Sequence, residues 1–177
     1  MTEKLFFAGF GGQGIVSLGQ IWVYFAMQEG KNVTFFPFYG AEKRGGIARA
    51  SVIVSDKEID SPLVTTPDSA LVMNSDSLPL CEGILKKGGL LLVNTSLVKE
   101  KPSRSDIRVV GVEATGIAEK VGHGRFANMV ALGAMAKLTG ALSLKNTEEI
   151  LRKFFPPEKH GFVPMNVQAI ETGASAV

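Results

Sequence analysis

The stretch Ala8-Gly9-Phe10-Gly11-Gly12-Gln13-Gly14-Ile15 constrains this chain more than any other. The run before it, Leu5-Phe6-Phe7-Ala8, is short, apolar and aromatic, as a buried strand requires. After it, Ile15, Leu18, Ile21, Trp22, Phe25 and Ala26 recur at helical spacing as far as Gln28. The segment therefore reads as strand, tight turn and helix, the opening unit of an α/β fold. Glycines at 9, 11, 12 and 14 let the backbone turn sharply and bare several N–H groups beside a helix N-terminus. Orphan N–H groups and the helix dipole converge there, which suits an anionic ligand group, usually phosphate.

Gly9-x-Gly11-x-x-Gly14 also has the spacing of the dinucleotide fingerprint. Such a site needs an acid about 20 residues further on, at the end of the second strand, to hold the ribose. Here the second apolar run, Asn32 to Phe36, ends in Pro37-Phe38-Tyr39, and Glu29 belongs to the end of the helix. NAD is disfavoured. A Walker loop is excluded, because Ile15-Val16 follows Gly14 where that motif has Lys-Ser/Thr. The plain alternative is that the glycines only permit close strand–helix packing.

Further along, strand and helix patterns alternate. Ala48 to Val54, Ala70 to Met73, Leu90 to Val93 and Ile107 to Val112 read as strands, with Ile59 to Val64 as a short edge strand. Leu90-Leu91-Leu92-Val93 is apolar throughout, as in a parallel strand covered on both faces. Ser77 is expected to cap a helix through about Lys87, with Lys86 and Lys87 at its C-terminus and Gly88-Gly89 ending it. Further helices are expected from near Thr115, over Phe126 to Leu138, from Asn146 to Phe155 and from Pro164, with the tail from Gly173 frayed. The fold expected is a three-layer α/β/α sandwich with a mixed, mostly parallel sheet, one domain over residues 1–177.

The helix over 126–138 has no polar face, so it is buried in its own domain or against another chain. Its one conspicuous polar group, Asn128, needs partners. It either satisfies a loop or helix terminus, or steadies the glycine turn or a ligand.

A second constellation, Phe36-Pro37-Phe38-Tyr39-Gly40-Ala41-Glu42-Lys43-Arg44-Gly45-Gly46-Ile47, mixes aromatics, an acid, bases and a glycine pair. Arg44 offers a fork for phosphate or carboxylate, Glu42 can orient it, and Gly45-Gly46 lets backbone approach closely. An ordinary exposed loop with a Glu–Arg pair is the simpler reading. The functional reading gains from placing both loops at the carboxyl ends of adjacent strands, where α/β sheets bind ligands.

Bulk properties narrow the rest. A net charge of +2 demands neither nucleic acid nor an anionic membrane as partner. No basic-then-apolar leader and no run approaching the ~20 apolar residues of a membrane span is present, so a cytoplasmic location is expected. One cysteine, Cys81, excludes an internal disulfide and a cysteine-ligated iron–sulfur cluster held by this chain alone. It reads as a core filler. His123 and His160 lack ligand spacing, and no metal site is expected.

Taken together, Gly9-Phe10-Gly11-Gly12-Gln13-Gly14 and Pro37-Phe38-Tyr39-Gly40-Ala41-Glu42-Lys43-Arg44-Gly45-Gly46 resemble the gamma subunit of 2-oxoacid:ferredoxin oxidoreductases. Asn128-Met129-Val130-Ala131-Leu132-Gly133-Ala134 and the closing Lys159, Asn166, Ala169 and Gly173 are similar to that family too. Phe38 departs mildly, since the family often has a small residue between Pro and Tyr.

The resemblance implies a non-redox subunit of a thiamine-diphosphate enzyme. That enzyme decarboxylates a 2-oxoacid, passes two electrons through iron–sulfur clusters to ferredoxin and releases acyl-coenzyme A. Thiamine diphosphate, magnesium and the clusters would lie on alpha and beta subunits, with delta as a further candidate, and this chain would serve active-site closure or coenzyme A access. The residues agree: the chain has no cysteine set, no Gly-Asp-Gly motif and no nucleophile–base pair. The candidate binding residues are Gly11, Gly12, Gln13, Gly14, Tyr39, Glu42, Arg44, Gly45, Gly46 and Asn128, and none is catalytic. Gly11 to Gly14 would donate N–H groups, Arg44 would supply counter-charge and Tyr39 a packing face. Two other readings stay open: a free-standing Rossmann-like nucleotide-binding protein, and a structural adaptor without ligand. The oxoacid is open as well, an indolepyruvate-type enzyme included.

Overall fold

The computed structural model describes residues 1–39 and 46–177, with Tyr39 described by its backbone. It opens as the glycine stretch dictates. Strand β1 (Thr2–Phe10) leads through the turn into helix α1 (Ile15–Gln28), and strands β2 (Asn32–Tyr39) and β3 (Ile47–Ser55) follow. Then come β4 (Ser69–Val72), α2 (Leu78–Ile84), β5 (Leu90–Asn94), β6 (Arg108–Val112) and α3 (Ala114–Val121). Helices α4 (Ala127–Thr139), α5 (Thr147–Phe154) and α6 (Val163–Ser175) complete the described chain.

Among the described residues the strands form one sheet, ordered β2-β3-β1-β4-β5-β6. The pairs β1–β4, β4–β5 and β5–β6 are parallel, while β3 is antiparallel to both β1 and β2. The mixed, mostly parallel sheet expected from the sequence is the one observed. Pro37 falls in β2, an edge strand, where a missing N–H costs no central ladder bond.

Alternation along the strands divides the core. Leu5, Phe7, Val52, Leu71 and Leu92 face α1, α4 and α6, with Trp22 of α1 packed against Phe7 at 5.7 Å between ring centroids. Phe6, Ala8, Val72, Leu91 and Val93 face the other way, against Leu78 and Cys81 of α2. All of β5 is buried, as its unbroken apolar run predicts. The third layer is thin, because α2 is seven residues long and the β2–β3 half of that face packs against no helix cluster.

Burial pushes the Cys81 thiol up to about 12, so no thiolate forms near neutrality and Cys81 fills core. His160 Nε2 lies 2.9 Å from the Arg152 and Phe155 carbonyl oxygens, and His123 Nδ1 accepts the Arg125 N–H at 3.0 Å. Among the described residues no helix is long and apolar enough to cross a membrane.

Three local expectations fail. Residues 59–64 form no strand: β3 already has partners on both sides, and Pro62 and Pro67 remove donors a further strand would need. The helix near Cys81 starts after a 3-10 turn and stops at Ile84. The Ser77 hydroxyl donates to Asn74 Oδ1 at 2.5 Å rather than capping an amide, and Lys86 pairs with Asp68. The tail does not fray at Gly173, since α6 continues to Ser175 and buries Gly173 against α4.

Helix α4 is buried from Ala127 to Ala136, as an all-apolar helix must be. Its crossing with α6 is set by two glycines. A Cβ on Gly133 would overlap the Ile170 carbonyl and come 2.7 Å from its carbon; one on Gly173 would do the same to Val130, also at 2.7 Å. The two backbones therefore touch directly at two reciprocal points.

Candidate functional site

The site is built at the carboxyl end of β1. Gly14 takes the left-handed conformation, φ 72°, and its carbonyl accepts the Leu18 N–H at 2.8 Å, the first bond of α1. The Asn128 side chain reaches across from α4 and donates to the same carbonyl at 3.3 Å. Gly14 is at once the end of the turn and the N-cap of α1, so this one bond satisfies a helix terminus and steadies the glycine turn together. A side chain at Gly14 has no room, since its Cβ would lie 3.0 Å from Asn128 Cγ and closer still to Nδ2.

Gln13 closes the turn from within. Its Oε1 accepts the Phe10 N–H at 2.7 Å, and its Nε2 donates to the Met73 carbonyl at 3.1 Å, tying the turn to the end of β4. The Gln13 N–H donates to the Phe10 carbonyl at 3.1 Å, and the Gly11 N–H to the Gly46 carbonyl at 2.9 Å. Two of the four expected donors are thus engaged within the chain. Among the described residues, Gly12 and Gly14 keep N–H groups with no backbone acceptor. They precede a helix with no acid in its first turn and no side-chain cap, so among the described residues nothing of its own neutralises its positive end.

The bond from Gly11 to Gly46 joins the two constellations. Phe10 of β1 pairs with Ile47 of β3, and Tyr39 of β2 pairs with Ala48 of the same strand. The glycine turn and the ends flanking residues 40–45 therefore meet at one end of the sheet, the carboxyl end of β1 and β2. One expectation is corrected: β1 and β2 are not adjacent, because β3 lies between them as the return of a β2–β3 hairpin. Two parallel strands with an antiparallel one between still end together. Glu42, Arg44 and Gly45 lie outside the described residues.

Glu29 sits at the opposite end of α1, about 20 Å away along a 14-residue helix. There it accepts the Ser143 N–H at 2.7 Å and pairs with Lys31 at 2.9 Å. It cannot serve a ribose beside the turn. Met73, whose carbonyl anchors Gln13, and a cavity of about 290 Å³ bordered by Ser17, Asn128, Arg125, Lys159 and Asn166 were not assigned from sequence. Lys159 and Asn166 were visible only as family-like residues, and no local spacing pointed to a pocket.

Comparison with known proteins places this geometry. The family model described as pyruvate ferredoxin/flavodoxin oxidoreductase matches residues 4–176. The chain is 36% identical over 169 residues to ketoisovalerate oxidoreductase subunit VorA of Methanothermobacter marburgensis, covering 94% of this chain and 35% of that protein. It thus spans about a third of that relative's length. It is 35% identical over 184 residues to 2-oxoglutarate synthase subunit KorC of the same organism, covering 100% of this chain and 97% of that one. Among solved structures, the keto/oxoacid ferredoxin oxidoreductase gamma subunit of Geobacter sulfurreducens superposes with a TM-score of 0.85 at 31% identity, over 99% of this chain and 96% of that one.

Proposed function

The chain belongs to the pyruvate ferredoxin/flavodoxin oxidoreductase family, and on that premise we propose that it works as the gamma subunit of a 2-oxoacid:ferredoxin oxidoreductase. In this reading residues 1–177 form one gamma-type domain. The holoenzyme converts a 2-oxoacid and coenzyme A to acyl-coenzyme A and carbon dioxide, and the electron pair leaves on ferredoxin. Thiamine diphosphate on a partner subunit supplies the decarboxylation chemistry. This chain does not fit the redox groups: its one cysteine lies on the sheet-facing side of α2, buried, with its thiol held neutral.

Its own residues bind and close. Gly12 and Gly14 offer N–H groups to an anion at the positive start of α1, where the pyrophosphate of coenzyme A is complementary in charge. Arg44 supplies the second charge and Tyr39 a packing face. The observation that carries this reading is the Gly11 N–H bond to the Gly46 carbonyl at 2.9 Å, which brings the turn and the start of β3 to one end of the sheet.

A surface for partner chains supports the same reading. Phe10, Phe36 and Phe38 alternate onto the sheet face that α2 leaves bare, each more than a third exposed. Phe36 and Phe38 stack at 4.8 Å. Aromatic area of this kind on a sheet face marks a protein contact. The test is co-purification: expressed with its partners, the chain is expected to travel with a thiamine-diphosphate-binding chain and a cluster-bearing chain. Isolation with neither would overturn the assignment.

A further inference from the structure

Beside the glycine turn, α1, α4 and the segment leading into α6 border an open pocket of about 290 Å³, with Arg125, Lys159 and Phe162 on its exposed rim. Two cations border it, Arg125 and Lys159, and no carboxylate is among its described lining residues. The Arg125 guanidinium lies over two aromatic faces, 5.0 Å from the Phe126 ring centroid and 4.3 Å from that of Phe162. Stacking of this kind fixes the plane of the fork while leaving its N–H edge free. Neither cation is in an ion pair among the described residues, where the surface pairs engage other bases. Asn166, buried, donates to the Phe162 carbonyl at 2.7 Å and so anchors the backbone that carries the ring under Arg125.

We propose that this cavity is a binding site for a small organic anion, a carboxylate or phosphate monoester on a compact apolar body. The fork of Arg125 and the ammonium of Lys159 take the anion, and the phenyl walls take the apolar part. A bare inorganic ion would leave the aromatic wall wet, and a neutral aromatic would leave two cations unmatched. The site stands on the helical side of the sheet and does not rest on the subunit assignment. Asn128 borders this cavity and also bonds the Gly14 carbonyl, so the two sites share one side chain.

Calorimetric titration of the full chain with phenyl phosphate, phenylacetate, inorganic phosphate and benzyl alcohol tests the proposal. At least one aryl anion should saturate with a Kd below about 1 mM, with inorganic phosphate and benzyl alcohol at least about tenfold weaker. The ratio of phenyl phosphate to phenylacetate tells phosphate ester from carboxylate. Arg125→Gln should cost about tenfold or more with the melting temperature unchanged, and Lys159→Gln should weaken binding in the same direction. The proposal is overturned if wild type and Arg125→Gln bind equally, or if the aryl group adds nothing to inorganic phosphate. It also fails if no anion binds while Arg125→Gln loosens assembly with partner chains, which would make the pocket an interface.

Discussion

Gly133→Ala is expected to destabilise the protein by about 3 kcal/mol or more, because the new methyl lands on the Ile170 carbonyl rather than on a movable side chain. For a chain of this size that corresponds to a fall in melting temperature of roughly 6–12 °C. Both helices must separate, and α4 has little freedom to move, being buried from Ala127 to Ala136. Gly173→Ala strikes the same crossing from the other side, at Val130. Once one methyl has forced the helices apart, the second costs less, so the double variant should lose less than the sum of the singles. Thermal denaturation of the three variants checks this. Wild-type melting temperatures for both singles would show that the helices are not in backbone contact.

Gly14→Ala is expected to have the second largest effect, about 2–4 kcal/mol. Its φ of 72° costs an L-residue about 1–2 kcal/mol. The added Cβ also crowds the Asn128 amide, which must give up its 3.3 Å bond to the Gly14 carbonyl. Asn128→Ala removes that obstacle. The Gly14→Ala/Asn128→Ala pair should therefore be markedly less damaging than the two singles added together, with the residual loss reflecting the backbone angle and the missing Asn128 bond without the clash. Strict additivity would mean that Asn128 does not buttress the turn.

The sequence disclosed what depends on neighbouring residues. An aromatic strand, four close glycines and a helix-spaced apolar set force β1, the turn and α1, and an all-apolar helix forces α4 into the interior. The unpaired amide of Asn128 announced a partner, which is the Gly14 carbonyl 114 residues away. Features that depend on long-range pairing were hidden. Nothing in residues 47–55 announces that they insert between β1 and β2, since a hairpin return and a parallel neighbour have the same alternation. Gly173 reads as a tail residue until the Val130 carbonyl is found against it. Gln13 looked like a ligand donor, but its amide is engaged by Phe10 and Met73. The cavity beside Arg125 draws its walls from three segments far apart in the chain and had no local signature.

In the proposed function the turn and the hairpin act as one ligand surface in the assembled enzyme. A double-mutant cycle on kcat/KM for coenzyme A, using Gly12→Ala and Arg44→Ala, tests that directly. Gly12 has φ 99° and, among the described residues, nothing within 4 Å of an added Cβ, so Gly12→Ala alters the local backbone without striking a described neighbour. Each single should lower kcat/KM by about tenfold, through KM, and the pair should be coupled by about 1 kcal/mol. An unchanged KM for coenzyme A in either single, or two losses that simply multiply, would contradict it.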